Sequence, residues 1–283
     1  MAAIDRLLFV GFYVSDQKAT RDFFTKKIGL KARVYQPKFG YLELAATAKG
    51  PDASVMPWQW SPQMGEAARK HIGEITGIGF STNDLGKTVE AWRKRGVSVE
   101  MEDQEGMGPF ARLQDPDGNT FFAAGPAKPR VRTAGVTGLS WVTVVTRDTK
   151  RAAGFYTNAL GMKGSGIGGY TSYQLTAKGT GIMPFTPSPE MYTDPSMVEK
   201  DLAHAGEDTA ITFSTKDIHA AQDFLLSRGV RFKSKAAQRP WGGWTGSFYD
   251  ADDNVYWLLQ PAASRKPAAR KTASKKAALR KRR

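Results

Sequence analysis

The chain opens with an apolar segment that is followed by a helical pattern. Leu7–Val14 is mostly apolar and predicts a strand. Asp16 then suits the N-cap of a helix that ends at Gly29. Its apolar residues recur at helical spacing, at Ala19, Phe23, Phe24 and Ile28. Three short strand patterns with Gly or Pro between them follow, at Lys31–Tyr35, Tyr41–Ala46 and Ala53–Trp58. The pattern predicts a βαβββ module.

A second module of the same kind begins at Thr76. Its strand runs to Thr82, its helix follows Asp84, and three more strands end at Ala124. The last two of these strands are joined by a tight polar turn at Asp115–Asn119, where Asp, Gly and Asn suit the backbone angles of a turn.

The second half of the chain repeats the first. Asp148 lies 132 residues after Asp16, and Asp250 lies 135 residues after Asp115. A repeat of this length indicates a duplicated domain. Each copy consists of two modules, so the chain has four. We therefore predict a first domain at 1–125, an exposed linker at 126–136, a second domain at 137–261 and a tail at 262–283.

These features resemble the vicinal oxygen chelate (VOC) superfamily, which includes glyoxalase I, extradiol dioxygenases and bleomycin-resistance proteins. The matching stretches are Val10–Asp16 with Phe23, Phe24 and Gly29, then Phe80–Leu85 and Asp115–Asn119, together with their repeats. The resemblance implies an α+β fold of two tandem glyoxalase-like domains. Each domain would contain two βαβββ modules and a curved mixed sheet around a cleft.

The resemblance also implies a divalent metal held by His, Gln or Glu on the first, fourth, fifth and eighth strands of a domain. In the first domain these positions are Phe9, Met56 or Pro57, Gly77 and Phe122. In the second domain they are Trp141, Met183 or Pro184, Ala210 and Trp257. None offers an oxygen or imidazole donor, which hard divalent cations need. We therefore predict no metal and no other cofactor at these positions.

Aromatic side chains take the place of the missing ligands. We expect the ligand-binding residues to be Trp58, Trp141, Met183, Phe185, Trp241, Trp244 and Trp257. Such side chains can stack a flat small molecule in an apolar cleft. The alternative is that they fill the clefts as core, which is the usual role of buried aromatic residues.

One histidine precedes the fifth strand of each domain. His71-Ile-Gly-Glu74 and His204-Ala-Gly-Glu207 occupy equivalent places. A His with a nearby carboxylate can act as an acid–base pair or contribute to a metal site. We favour a structural interpretation in which each His anchors its loop through the backbone and each Glu lies in solvent.

These observations leave three functional hypotheses. The leading one is metal-free binding of an aromatic or amphiphilic small molecule, as in resistance proteins of the superfamily. The second is a family enzyme of lyase, isomerase or dioxygenase type that uses the His/Glu residues. The third is a polyanion- or DNA-associated protein. Four modules in one chain can make internally the pairing that single-domain relatives make by dimerising, so a monomer and a homodimer both stay open.

The composition of the chain limits the chemistry it can carry out and the location we expect for it. The chain has no cysteine, so disulfides and thiol nucleophiles are excluded. The N-terminus goes directly into a strand pattern, and no apolar run approaches the length of a membrane span. We expect a cytoplasmic protein with no membrane partner.

The net charge of +14 is concentrated at the C-terminus, where 261–283 carries ten Lys or Arg and no acid. High charge with little hydrophobicity predicts a disordered tail that can contact nucleic acid or another polyanion non-specifically. Deleting 262–283 should remove any salt-sensitive binding to a DNA column. Equal retention of the full-length and truncated proteins would contradict a role in DNA binding.

Overall fold

The computed structural model describes residues 4–104, 108–167, 169–192 and 194–262. The predicted basic tail, apart from Ala262, lies outside the described residues. Within them, strands and short helices alternate as the sequence patterns predict, and the α+β class is confirmed. None of the helices in the described part is long and apolar enough to span a membrane.

Four βαβββ modules follow one another along the chain. The strands of modules 1 and 2 are β1 (Arg6–Val14), β2 (Lys31–Gln36), β3 (Tyr41–Ala45), β4 (Ser54–Gln59), β5 (Ile75–Thr82), β6 (Val99–Gln104), β7 (Gly108–Gln114) and β8 (Thr120–Ala124). The strands of modules 3 and 4 are β9 (Val136–Val145), β10 (Lys163–Ile167), β11 (Tyr170–Gln174), β12 (Gly181–Phe185), β13 (Asp208–Ser214), β14 (Phe232–Gln238), β15 (Trp244–Tyr249) and β16 (Val255–Gln260).

Each module has one helix after its first strand. These are α1 (Gln17–Asp22), α3 (Leu85–Lys94), α4 (Thr149–Gly154) and α6 (Ile218–Ser227). An Asp precedes each one and accepts backbone N–H bonds of the first turn, as a helix cap does. The first and third helices continue as π-helical turns at Phe23–Ile28 and Phe155–Ala159. Two further short helices, α2 (Gly65–Arg69) and α5 (Ser196–Leu202), precede β5 and β13.

The modules pair across the two halves of the chain. Sheet A has the order β14-β15-β16-β13-β1-β4-β3-β2 and so joins module 1 to module 4. Sheet B has the order β10-β11-β12-β9-β5-β8-β7-β6 and joins module 2 to module 3. The antiparallel pairs β1–β13 and β5–β9 form the two seams. We expected each sheet to unite the two modules of one domain, and this pairing corrects that grouping.

The buried hydrophobic residues of both halves form one core cluster, and aromatic contacts within each half join the two sheets. In the first half, the ring of Phe121 on β8 of sheet B lies 5.0 Å from Phe12 on β1 of sheet A and 5.2 Å from Phe24. In the second half, Tyr256 of sheet A lies 5.9 Å from Phe155 after α4. These aromatic contacts therefore lie within one half of the chain, whereas the backbone pairing of each sheet joins the two halves.

The polar turn of module 2 ties the two sheets together. Asn119 donates from Nδ2 to the carbonyl of Tyr13 on β1 at 3.0 Å and to Asp115 Oδ2 at 2.9 Å. Its Oδ1 accepts from the backbone N–H of Gly73 at 2.8 Å. Burial raises the pKa of Asp115 to about 6, although hydrogen bonds from Asn119 and Asp117 act in the opposite direction. One buried amide thus holds a strand of the other sheet and the loop before β5.

The equivalent turn in module 4 makes the same contacts. Asn254 donates to the carbonyl of Val145 on β9 at 3.0 Å and to Asp250 Oδ2 at 2.9 Å. Its Oδ1 accepts from the N–H of Gly206 at 2.7 Å. We call Asn119 and Asn254, with their aspartate partners, the Asn clamps.

Removal of one clamp should destabilise the fold strongly. Asn254→Ala would remove the hydrogen bonds to the N–H of Gly206, to the carbonyl of Val145 and to the buried Asp250 Oδ2, which would keep only Tyr256 OH at 3.4 Å. We expect a loss of about 3 kcal/mol in the free energy of unfolding. Chemical denaturation measures it, with Asn158→Ala at an exposed position as the control. Equal small losses in both variants would show that the clamp contributes little.

Candidate functional site

Because each sheet joins modules of different halves, the family's metal positions are grouped differently in the sheets than in the sequence domains. Phe9, Met56, Ala210 and Trp257 belong to sheet A, and Gly77, Phe122, Trp141 and Met183 belong to sheet B. Neither set contains a carboxylate, an amide or an imidazole, and the neighbouring Pro57 and Pro184 add no donor. The residues at the strand positions therefore do not fit the family's metal.

The predicted aromatic binding set is divided between the two sheets. Trp141, Met183 and Phe185 lie on sheet B, whereas Trp58, Trp244 and Trp257 lie on sheet A. Trp141 is 9% exposed and Met183 is 4% exposed, so both side chains are buried. A Cβ added at Gly79 would overlap the Trp141 ring, which shows that this ring lies directly on β5.

The remaining tryptophans have different surroundings. Trp58 lies over Gly11, where an added Cβ would be 2.6 Å from the ring. Trp244 makes an edge contact with His219 of α6 at 4.8 Å, on the helix side of sheet A. Trp241 is 54% exposed. The predicted binding residues of the second domain are thus distributed over both sheets and the loop at Trp241.

A cavity lies where the seams of the two sheets meet. Its volume is about 680 Å³, and both halves of the chain line it with equivalent residues. They include Met64 with Met197, His71 with His204, and Glu74 with Glu207. Among the predicted binding residues, Phe185 reaches this cavity. We call it the axial cavity, since equivalent residues of the repeat face one another across it.

The two His/Glu loops meet in this cavity. The rings of His71 and His204 are 5.8 Å apart between centroids, at an interplanar angle of 47°. Nδ1 of each His lies 2.8 Å from Oε2 of the Glu three residues later, Glu74 and Glu207 respectively. The expectation that each His anchors its loop through the backbone while Glu lies in solvent is therefore wrong. The pairs form one cluster, and either can serve as an acid–base pair.

Glu207 is the centre of the cluster. It contacts His204, lies 3.7 Å from His71 Nε2, and accepts from Lys70 Nζ at 3.2 Å. Burial raises the pKa of Glu207, but the hydrogen bonds from His204 and Lys70 outweigh burial, so the pKa is lowered. The carboxylate is thus held in its charged form.

Short helices position the two histidines. Each loop follows one of them: α2 ends at Arg69, and α5 ends at Leu202. Each loop then leads into a strand, and the residue after each clamp asparagine fixes the point of entry. The N–H of Thr120 donates to the carbonyl of Glu74, and the N–H of Val255 donates to the carbonyl of Glu207, both at 2.9 Å. The helices are too short to give a detectable hydrophobic period, and the sequence analysis missed them.

Asp208 is a cavity residue that the sequence analysis also missed. Its carboxylate accepts from Trp257 Nε1 at 2.9 Å and from the backbone N–H of Ala210 at 2.8 Å. Burial raises the pKa of Asp208. The equivalent position in the first half is Ile75, and this break in the repeat is the sequence signal that could have identified it.

Comparison with known proteins agrees with this architecture. The model of the Glyoxalase/Bleomycin resistance protein/Dioxygenase superfamily matches residues 4–121 and 138–258, and the chain belongs to that superfamily. Glyoxalase I from Zea mays superposes with a TM-score of 0.63 at 18% identity, over 90% of this chain and 92% of that chain. No match is found among curated proteins.

Shorter relatives resemble one half of the chain. TnmS3, an antibiotic binding protein from Streptomyces sp. CB03234, is 28% identical over 44% of this chain and 98% of its own, with a TM-score of 0.37. A superfamily member from Sphaerobacter thermophilus DSM 20745 is 25% identical over 43% of this chain and 95% of its own, with a TM-score of 0.35.

The seams beside the cavity are complementary. Gly77 and Ala210 are equivalent, and both have positive φ, of 68° and 54°. A Cβ at Gly77 would overlap Thr143 Oγ1 across its seam. In the other seam Ala210 carries the Cβ, and Gly11 stands where the repeat places Thr143. At each crossing, one partner is therefore a glycine.

This arrangement predicts opposite effects of exchanging Gly and Ala. Gly77→Ala should destabilise the protein by about 2 kcal/mol or more, because left-handed strain adds to the overlap. Ala210→Gly should stabilise it by up to about 1 kcal/mol by releasing the strain. Thermal or chemical unfolding measures both, and adding Thr143→Gly to Gly77→Ala should recover part of the loss. A neutral Gly77→Ala would contradict the steric argument.

Proposed function

We propose that the protein binds a small organic molecule in the axial cavity without a metal at the strand positions of its superfamily. The cavity volume of about 680 Å³ carries this proposal. It falls in the range of roughly 300–1,000 Å³ that is usual for small-molecule sites. Absence of donors at all the strand positions supports a mode of binding that does not need the family's metal.

The lining of the cavity favours an aromatic or amphiphilic ligand. Phe185 and Tyr13 give it aromatic walls, and Met64 with Met197 give it adaptable apolar ones. Polar groups line it as well, from Asp208 and from the His/Glu cluster, whose His71 ring stacks on Tyr13 at 6.2 Å. A molecule with a flat apolar part and a polar group matches this mixed lining.

Native mass spectrometry of the protein, gently purified from its own cells, is the direct test. A stoichiometric organic adduct that survives EDTA would identify the ligand. The absence of such an adduct, together with failure of the fluorescence titration described next, would overturn the proposal.

A pair of aromatic substitutions locates the site. The probe is 8-anilinonaphthalene-1-sulfonate, an aromatic amphiphile, titrated by fluorescence in EDTA. Phe185→Ala should weaken its binding at least about tenfold, since a buried aromatic contact contributes more than about 1.4 kcal/mol. Trp241→Ala, at an exposed position outside the cavity lining, is the control and should have no effect. The reverse pattern would move the site to the surface near Trp241.

A further inference from the structure

The His/Glu cluster of the axial cavity has the donor set of a transition-metal site. One donor atom from each of His71, His204 and Glu207 lies within 4.8 Å of the other two. Two imidazoles and one carboxylate suit zinc, cobalt and nickel better than magnesium or calcium, which prefer oxygen alone. The cluster is on loops before β5 and β13, and so is distinct from the strand positions considered above.

The hydrogen bonds of the cluster orient its nitrogen donors. Since Glu74 lies 2.8 Å from Nδ1 of His71, it fixes the tautomer whose proton is on Nδ1 and leaves a lone pair on Nε2. That Nε2 faces Glu207 Oε2 at 3.7 Å. A carboxylate behind the non-ligating nitrogen is the usual support of a metal-bound histidine. Glu74 is therefore a positioning residue rather than a ligand. Glu207 Oε2 likewise lies 2.8 Å from Nδ1 of His204, so an ion held by both residues would replace that hydrogen bond.

The distances leave room for an ion. Ligands of a tetrahedral ion with bonds of about 2.1 Å lie about 3.4 Å apart. Separations of up to 4.8 Å among the three donor atoms would have to shorten by no more than about 1.4 Å. If His204 binds through Nδ1, its separation of 2.8 Å from Glu207 Oε2 would have to lengthen by about 0.6 Å. The three side chains are 28%, 29% and 32% exposed, so rotation about their own bonds can supply this movement. The cavity leaves a further coordination position open to water or to a bound molecule.

Three lysines line the cavity and oppose a cation, and of these Lys70 contacts the cluster directly. Its ammonium lies 3.2 Å from Glu207 Oε1, whereas the histidines face Oε2 of the same carboxylate. Lys70 thus orients Glu207 but lowers the affinity for a positive ion by repulsion. The repeat has Ala203 at the position equivalent to Lys70, whereas Lys200 and Lys233 line the cavity from the second half.

We propose that His71, His204 and Glu207 bind one divalent transition-metal ion of the zinc, cobalt and nickel group in the axial cavity. This metal site goes beyond the proposed function and is tested separately from it. The organic probe is titrated in EDTA, and the metal is titrated without any organic ligand. If the metal does not bind, the proposal of organic-ligand binding still stands, and the reverse also holds.

The test is titration of tag-free, EDTA-dialysed, full-length protein with Zn²⁺ by calorimetry and with Co²⁺ by absorption spectroscopy. We expect one ion per chain and a Co²⁺ spectrum of low-symmetry coordination with nitrogen ligands. His71→Ala, His204→Ala and Glu207→Gln should each raise the Zn²⁺ Kd at least about 100-fold, and Glu74→Gln should raise it about tenfold. His219→Ala removes the third histidine of the chain, outside the cluster, and should change nothing.

Lys70→Met separates a metal site from a purely structural ion-pair network. Lys70 is 57% exposed on its side chain, so the substitution should leave the fold intact. It should lower the Zn²⁺ Kd several-fold by removing the repulsion. The proposal is overturned if wild-type protein gives an octahedral aqua-type Co²⁺ spectrum or binds no stoichiometric ion. It is also overturned if the His71 and His204 variants bind Zn²⁺ as tightly as wild type, or if Lys70→Met leaves the Kd unchanged.

Discussion

The Asn clamps are the constraint on which the rest of the molecule depends. Each is a buried amide that satisfies a strand carbonyl, a loop N–H and the carboxylate of its own turn. Unpaired buried polar groups are costly, so the turn, the strand and the loop can only be assembled together. Because the strand belongs to one sheet and the turn to the other, the clamp also sets how the sheets approach each other.

This constraint links the fold to the site. The loop held by Asn119 at Gly73 carries His71 and Glu74, and the loop held by Asn254 at Gly206 carries His204 and Glu207. Each His/Glu pair is therefore fixed by a turn of its own domain. The pairs meet because modules of different domains share the sheets. The cavity is thus a product of backbone pairing across the halves rather than of either domain alone.

Much of the fold could be predicted from the sequence, because its signals are local. The apolar strand patterns, the Asp helix caps and the Asp115–Asn119 turn can each be recognised from a few neighbouring residues. The repeat shows each of these patterns a second time. Which modules share a sheet could not be predicted, since pairing module 1 with module 2 or with module 4 satisfies the same strand edges. The position of the candidate site could not be predicted for the same reason. His71 and His204 are 133 residues apart, and nothing local shows that they are neighbours.

The breaks in the repeat are where one half has acquired what the other lacks. Asp208 replaces Ile75 and holds Trp257, and Lys70 has no counterpart because Ala203 stands in its place. Tyr156 and Tyr256, whose hydroxyls are 2.6 Å apart, replace Phe24 and Phe121 in the second core. A duplicated fold needs symmetry to close its sheets, but a ligand is rarely symmetric. Charged groups that break the repeat inside the cavity, such as Asp208 and Lys70, make the linings contributed by the two halves different. The cavity is therefore symmetric in its backbone and asymmetric in its charge.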